Sequence, residues 1–328
     1  MNKKIYKALL KRIGSSVIVL FLLVTFIFLL IRLSPGDPSQ KFLSPELNQQ
    51  LAEKVTKSFG LDEPIYKQYY HFIINSFTGD FGISYNYRQP VFSVLKDYFL
   101  FTLLFSIISF LLQLSTAYWL AKYAFNNRGK LIDKLLSKVS IITFSLPSFV
   151  VGLILVYIFS VYLDLLPTSG IKSINFDDLS FVGKINDYFL HLILPMITIS
   201  FAGIAVFYKY LRDNLSTVEN SPFITNLKAN GFSEKIIFKK HIMPNAIQPL
   251  ISIAGIEFGI LLGGALLTEV IFALPGMGRL TINAILNRDF PLIIACSFIA
   301  GLMMIISNLV ADLIKIKMDK RFIKEFID

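Results

Sequence analysis

The sequence predicts an all-α fold: a polytopic membrane helix bundle of about six transmembrane helices, with both termini cytoplasmic and an extracytoplasmic segment between helices 1 and 2. Three observations carry that prediction. Apolar residues make up 54% of the 328 and charged residues only 16%, with 31 phenylalanines. Soluble domains average about 25% charged residues, so the surplus apolar surface must meet lipid. Charge-free runs of the roughly 20 residues that a bilayer demands recur along the chain. The basic residues collect beside alternate runs.

In chain order the spans fall at about 13–33, 98–121, 139–163, 188–208, 247–270 and 291–311. Together they make a single transmembrane domain, 1–328. The first span follows Lys3, Lys4, Lys7, Lys11 and Arg12. That start resembles a signal peptide, but the apolar run exceeds a typical h-region and no small-x-small cleavage site follows, so it reads as an uncleaved anchor. Residues 34–97 form the extracytoplasmic segment. The third and fourth spans contain Pro147 and Pro195, which bilayer helices accept more readily than soluble ones do. The fifth qualifies if Glu257 and Glu269 are tolerated. The lone Cys296, inside an apolar run, excludes a disulfide framework and a cysteine-based metal cluster.

Orientation follows from the basic residues. Twenty-one of the 32 lie in the N-terminal tail, the connections after the second and fourth spans, and the C-terminal tail. The longest segment on the other side, 32–97, balances seven basic against seven acidic residues. By the positive-inside rule, both termini and the 209–246 connection are cytoplasmic. A net charge of +10 could instead signal nucleic-acid binding. Spread over four membrane-flanking segments, it fits topology and anionic lipid headgroups better, and no nucleic-acid partner is expected.

Within the 209–246 loop, Ser221-Pro222 sets an N-cap residue before a first-turn proline, and Gly231 stands where a left-handed C-terminal residue is wanted. The spacing predicts a short helix over 222–230, with Phe223, Ile224 and Leu227 on one face. Isolated helices under about 12–15 residues are marginal in water, so something must pack on it. Ser233 can cap a second helix through Ile236, Ile237 and Phe238 towards Pro244, where the chain is expected to turn back into the membrane.

With these residues, Leu227-Lys228-Ala229-Asn230-Gly231 and His241-Ile242-Met243-Pro244-Asn245-Ala246, the loop resembles that of the membrane permeases of bacterial ATP-binding cassette importers. Three further runs narrow the resemblance to the dipeptide, oligopeptide and nickel branch, first permease subunit type. They are Ser34-Pro35-Gly36-Asp37-Pro38; Phe59-Gly60-Leu61-Asp62-Glu63-Pro64 with Gly79-Asp80-Phe81-Gly82-Ile83-Ser84; and Leu267-Thr268-Glu269-Val270-Ile271-Phe272 with Pro275-Gly276-Met277-Gly278-Arg279. The pattern departs at Leu227, bulkier than the family's alanine, and at Thr225 and Asn226, where an acidic residue is usual. The resemblance implies that Phe223, Ile224, Leu227, Lys228, Ala229, Gly231, Pro244, Asn245 and Ala246 couple the chain to an ATPase. It also implies a second homologous permease, one or two ATPase subunits and an extracytoplasmic substrate-binding protein. Peptides are the commonest cargo of the branch.

Glu257 lies about ten residues into its span, roughly 15 Å deep, where a charge costs about 2.5–3.5 kcal/mol. Such groups face a bundle interior or a water-filled path. Gly255, Gly259 and Gly263 form a small-residue stripe that admits a close neighbour. Glu257 points away from it, towards a translocation path, a polar group of a partner subunit, or a pairing inside the bundle. Asp37, Asp62, Asp80, Gly79 and Gly82 read as turn formers. His71, His191 and His241 are too scattered for a metal site, and no G-x-x-x-x-G-K-[ST] phosphate loop occurs. The chain is therefore expected to be non-catalytic and without a cofactor of its own, ATP and Mg being held by partner ATPases. The competing reading is an ion-coupled secondary transporter or channel, although such proteins often carry inverted repeats, and none is found.

Overall fold

The computed structural model describes residues 3–33 and 63–318. The Ser34-to-Pro38 run, most of the Phe59-to-Pro64 run and the last basic residues of the C-terminal tail lie outside the described residues. The helices are α1 (Lys3–Leu33), α2 (Ile65–Thr78), α3 (Val91–Asn126), α4 (Leu131–Ser145), α5 (Ser148–Val156), α6 (Phe181–Glu219), α7 (Pro222–Ala229), α8 (Glu234–Ile237), α9 (Met243–Gly263), α10 (Leu266–Ile271), α11 (Met277–Leu286) and α12 (Phe290–Met318). Among the described residues, five helical stretches are long and apolar enough to cross a membrane, and six if one bent pair counts as a span.

That pair corrects the third predicted span, 139–163. Instead of one straight helix, α4 meets α5 and its π-helical continuation Tyr157–Tyr162 at 97°. The cause is Pro147, whose ring pushes the preceding residue out of the helical region; Leu146 is extended at φ −87°, ψ 126°. Pro195, by contrast, sits inside the unbroken α6. The bend lets α5 lean on α6, where Gly152 lies against the Thr198 side chain.

A second correction concerns Pro244. The chain does not turn there: α8 runs through a π-helical turn, Phe238–Ile242, directly into α9. A proline cannot donate to the helix ladder, and the widened turn just before it absorbs the misfit. The break falls at the other end of the predicted fifth span. Gly264, at φ 106°, separates α9 from α10, and a Cβ there would strike the Gly278 backbone.

Three apolar clusters hold the bundle. One joins α1, α2, α11 and α12 around Val24, Phe72, Leu280 and Leu292. A second, at the opposite end, joins α3, α6, α7, α8 and α9 around Phe125, Leu211, Ile224 and Ile237. A smaller one gathers Phe105, Leu194, Phe272 and Leu274. The α9 and α12 helices approach each other closely. A Cβ on Gly255 would meet Ala311, on Gly259 Met304 and on Gly263 Ala300, so the glycine stripe sets the distance between the two helices.

The turn before α3 is built as its composition predicts. Gly79 and Gly82 adopt φ of 81° and 72°, and Asp80 accepts the Gly82 N–H. The buried Asp289 fastens this turn to the start of α12, accepting the Ser84 hydroxyl at 2.5 Å and the Asn86 N–H at 3.0 Å. Burial, reinforced by the Asp289 carboxylate, pushes the neighbouring Tyr85 phenol up from its ordinary range.

Candidate functional site

At 36 and 39 residues, α3 and α6 are each roughly 55 Å long at 1.5 Å per residue, well beyond a hydrocarbon core of about 30 Å. They overhang the apolar zone and carry α7 at their projecting ends. Pro222 opens α7 at its first position, behind Ser221. It closes in a Schellman motif: Phe232 N–H reaches Leu227 O and Gly231 N–H reaches Lys228 O, with Gly231 at φ 79°. Nothing lies within 4 Å of where a Gly231 Cβ would be, so the glycine is required by its backbone angle alone.

The packing that so short a helix needs comes from inside. Ile224 is fully buried among Phe125, Leu211, Leu215 and Ile237, with Leu227 half-buried beside it. Glu219, at the end of α6, receives Arg128 at 2.7 Å and Lys228 at 3.6 Å, tying α7 to the α3–α4 connection. Arg212 holds Asp133 in a two-pronged pair at 2.8 Å for each contact, pinning α4 to α6. Such a fork fixes geometry as well as charge.

The opposite face of the loop is open. Phe223, Phe232 and Ile236 are 44%, 48% and 42% exposed, amid exposed Lys228, Ala229 and Gly231. Apolar side chains exposed on a polar loop make this face the candidate surface for a partner. The nine residues singled out from the sequence therefore divide. Phe223, Lys228, Ala229 and Gly231 lie on the surface, whereas Ile224 and Ala246 are fully buried and can act only through packing. Pro244 and Asn245 lie half-buried inside the continuous α8–α9 helix, where Asn245 Nδ2 donates to His241 O at 2.6 Å.

Glu257 is half-buried near the middle of α9, and among the described residues no hydrogen bond or ion pair holds it. It stands beside the exposed Ile256 and Ile260, away from the stripe that meets α12. Glu269 behaves oppositely. Fully buried, it accepts the Arg279 N–H at 3.0 Å, the Gly278 N–H and the Ala265 N–H at 3.2 Å, with the Thr102 hydroxyl at 3.4 Å. It thereby caps α11, and a Cβ on Gly276 or Gly278 would collide with its carboxylate. The Leu267-to-Phe272 and Pro275-to-Arg279 runs are thus two halves of one knot. Thr102 completes it by accepting the Met277 N–H at 2.8 Å.

Thr102 begins a feature that sequence reasoning missed. Thr102, Ser106, Ser109 and Gln113 form one buried polar stripe on α3, continued by Ala117, Ala121 and Ala124. Ser106 donates to Leu261 O at 2.8 Å, and Gln113 donates to Ile199 O at 3.3 Å while lying flat on Gly203. The 4-3-4 spacing of these side chains was a legible signal, since it marks a single helical face.

A bundle of long apolar helices, crossed by a buried polar stripe and carrying a loop with exposed apolar side chains at one end, is a polytopic membrane helix bundle. The chain belongs to the family of binding-protein-dependent transport system inner membrane components, whose model matches residues 113–324, with the model for the N-terminal part of such proteins matching 5–106. It is 32% identical to a probable peptide ABC transporter permease protein, y4tP, of Sinorhizobium fredii over 95% of this chain and 98% of that protein. It is also 32% identical to the glutathione transport system permease protein GsiC of Escherichia coli K12, over 93% of this chain and 95% of that one, and equally to that of Shigella dysenteriae. The chain is thus a multi-pass inner-membrane permease of an ABC importer, a non-catalytic subunit working with ATPase and substrate-binding partners. Membership removes the ion-coupled carrier or channel as a reading.

Proposed function

We propose that this chain is the first of two homologous permeases in a peptide-class importer, and that its ATPases dock on the cytoplasmic face of α7. The observation carrying the docking is the split character of that helix, with Ile224 locked into the bundle and Phe223, Phe232 and Ile236 turned outward. The cargo class is supported by relatives named for peptide and glutathione transport. ATP and Mg belong to the one or two ATPase subunits, and an extracytoplasmic binding protein delivers cargo. The end of the bundle that carries α7 is also the end with the excess of basic residues.

In this mechanism, closure of the ATPases displaces α7. Ile224 and Leu227 bear on Phe125, near the end of α3. As one continuous helix, α3 delivers the displacement to Ser106 and Thr102, which hold Leu261 of α9 and the Glu269 knot. The bundle then switches as rigid bodies, by as much as the partners' differential contacts with the two states allow. Glu257, without a partner beside the Ile256 and Ile260 face, lines the path or meets the second permease.

The test is co-purification with uptake. Phe223→Asp with Ile236→Asp removes the docking face without touching the buried anchor, so the permease stays monodisperse, loses its ATPase and stops transporting peptides. An ATPase that remains bound, with uptake unchanged, defeats the proposal. A panel of peptides against free amino acids tests the cargo independently of docking.

A further inference from the structure

Beside α7 lies a cleft of about 680 Å³ between the end of α3 and the α8–α9 rod, bordered at Lys228 by the loop's exposed face. Its floor is apolar, with Phe125, Ile237 and Ile242. Its rim carries Lys122, Arg128, Lys228, Lys235 and Lys239 against only two carboxylates, Glu219 and Glu234. Glu219 is already engaged by Arg128 and Lys228. Lys122, Lys235 and Lys239 have no described carboxylate within ion-pair reach, so the rim holds an unanswered positive charge.

The cleft also sits at a particular depth. Lys122 lies one residue beyond the charge-free run 98–121, its ammonium 5.1 Å from the centre of the exposed Trp119 ring, with Tyr123 exposed alongside. Trp, Tyr and Lys so placed mark the membrane–water boundary. On the orientation set by the basic residues, this is the cytoplasmic leaflet, whose anionic lipids attract basic groups. An occupant must therefore be negatively charged at its head, partly apolar, and able to enter sideways from the bilayer.

We propose that this cleft binds the headgroup of an anionic phospholipid, its phosphate between Lys122, Lys235 and Lys239 and its glycerol end over Phe125 and Ile242. Lipid in this position wedges α3 against α8 immediately above α7, and so holds the docking helix at its depth. The three lysines that hold the phosphate are not among the residues assigned to docking, and the readout does not depend on transport.

The experiment uses the complete transporter, stripped of lipid in detergent and re-exposed to vesicles of phosphatidylglycerol or phosphatidylcholine, with bound lipid counted by native mass spectrometry. Wild type retains phosphatidylglycerol on the permease and releases phosphatidylcholine. Each basic group near a charged surface is worth roughly fivefold, so Lys122→Gln, Lys235→Gln and Lys239→Gln combined lower retention on the order of a hundredfold. The corresponding triple arginine variant keeps it. Equal retention of both lipids by wild type overturns the proposal, with no variant required. Undiminished retention in the glutamine variant, or displacement of lipid by millimolar glycerol phosphate, overturns it too. So does loss of the ATPase subunits from that variant with lipid still bound, which would make the occupant an acidic protein segment.

Discussion

Replacing Glu269 removes the centre of the α10–α11 knot. In Glu269→Ala, the N–H groups of Ala265, Gly278 and Arg279 lose their acceptor in a place where Glu269 itself had no exposure to water. A buried donor left without a partner costs about 1–3 kcal/mol. Three of them, offset in part by water entering the vacated space, amount to roughly 3–5 kcal/mol. Glu269→Gln keeps the volume and one acceptor oxygen but turns an NH₂ towards two of the donors, for a loss of about 1–2 kcal/mol. Equilibrium unfolding in mixed micelles, followed by tryptophan fluorescence, gives the order wild type, Gln, Ala. Because Gly276 and Gly278 lie against the carboxylate, Gly278→Ala belongs with the damaging variants. An alanine variant within about 0.5 kcal/mol of wild type, the usual range for surface changes, would refute the assignment of Glu269 as a buried cap.

Other variants probe separate joints. Gly203→Ala drives a methyl group into the Gln113 amide, so it destabilises by about 1–3 kcal/mol; adding Gln113→Ala returns part of the loss in a double-mutant cycle. Asp133→Ala leaves the Arg212 guanidinium without its paired carboxylate and costs about 3 kcal/mol or more. The exchange Asp133→Arg with Arg212→Asp recovers some of it, read as thermal inactivation in detergent. Gly259→Leu forces α9 off Met304 of α12 and lowers the yield of folded protein, whereas Ile256→Leu on the exposed face leaves yield unchanged. Gly231→Ala meets no atom and strains only its backbone angle, costing about 1 kcal/mol, seen as slightly faster proteolysis of the α7 loop.

The helical stretches, the short helix predicted over 222–230 with Gly231 as its left-handed stop, and the small-residue face of α9 were legible because each rests on local rules of length, capping or spacing. What escaped depends on chemistry between distant segments. Pro147 and Pro195 each follow a leucine inside an apolar run, yet one breaks a helix at 97° and the other does not. Pro244 reads locally as a stop, yet the helix passes it through the π-helical turn just before. The α3 stripe is quiet in the sequence because Thr102, Ser106, Ser109 and Gln113 carry no charge to mark them within an apolar run. Glu269 was visible as an acid tolerated in a span, but its partners lie ten residues on and across the bundle in α3. The site residues split for a related reason, since a motif does not say which of its members face inward.

The uninterrupted run from Glu234 through Gly263 has a geometric consequence. Thirty residues at 1.5 Å each make a stiff lever of about 45 Å, so a tilt of about 5° imposed at Ile236 sweeps the far end through about 4 Å. That far end is Gly264, packed on the Gly278 backbone with no side chain to cushion it. A nudge too small to disturb the loop's own packing is thus delivered, magnified, to a joint where backbone meets backbone.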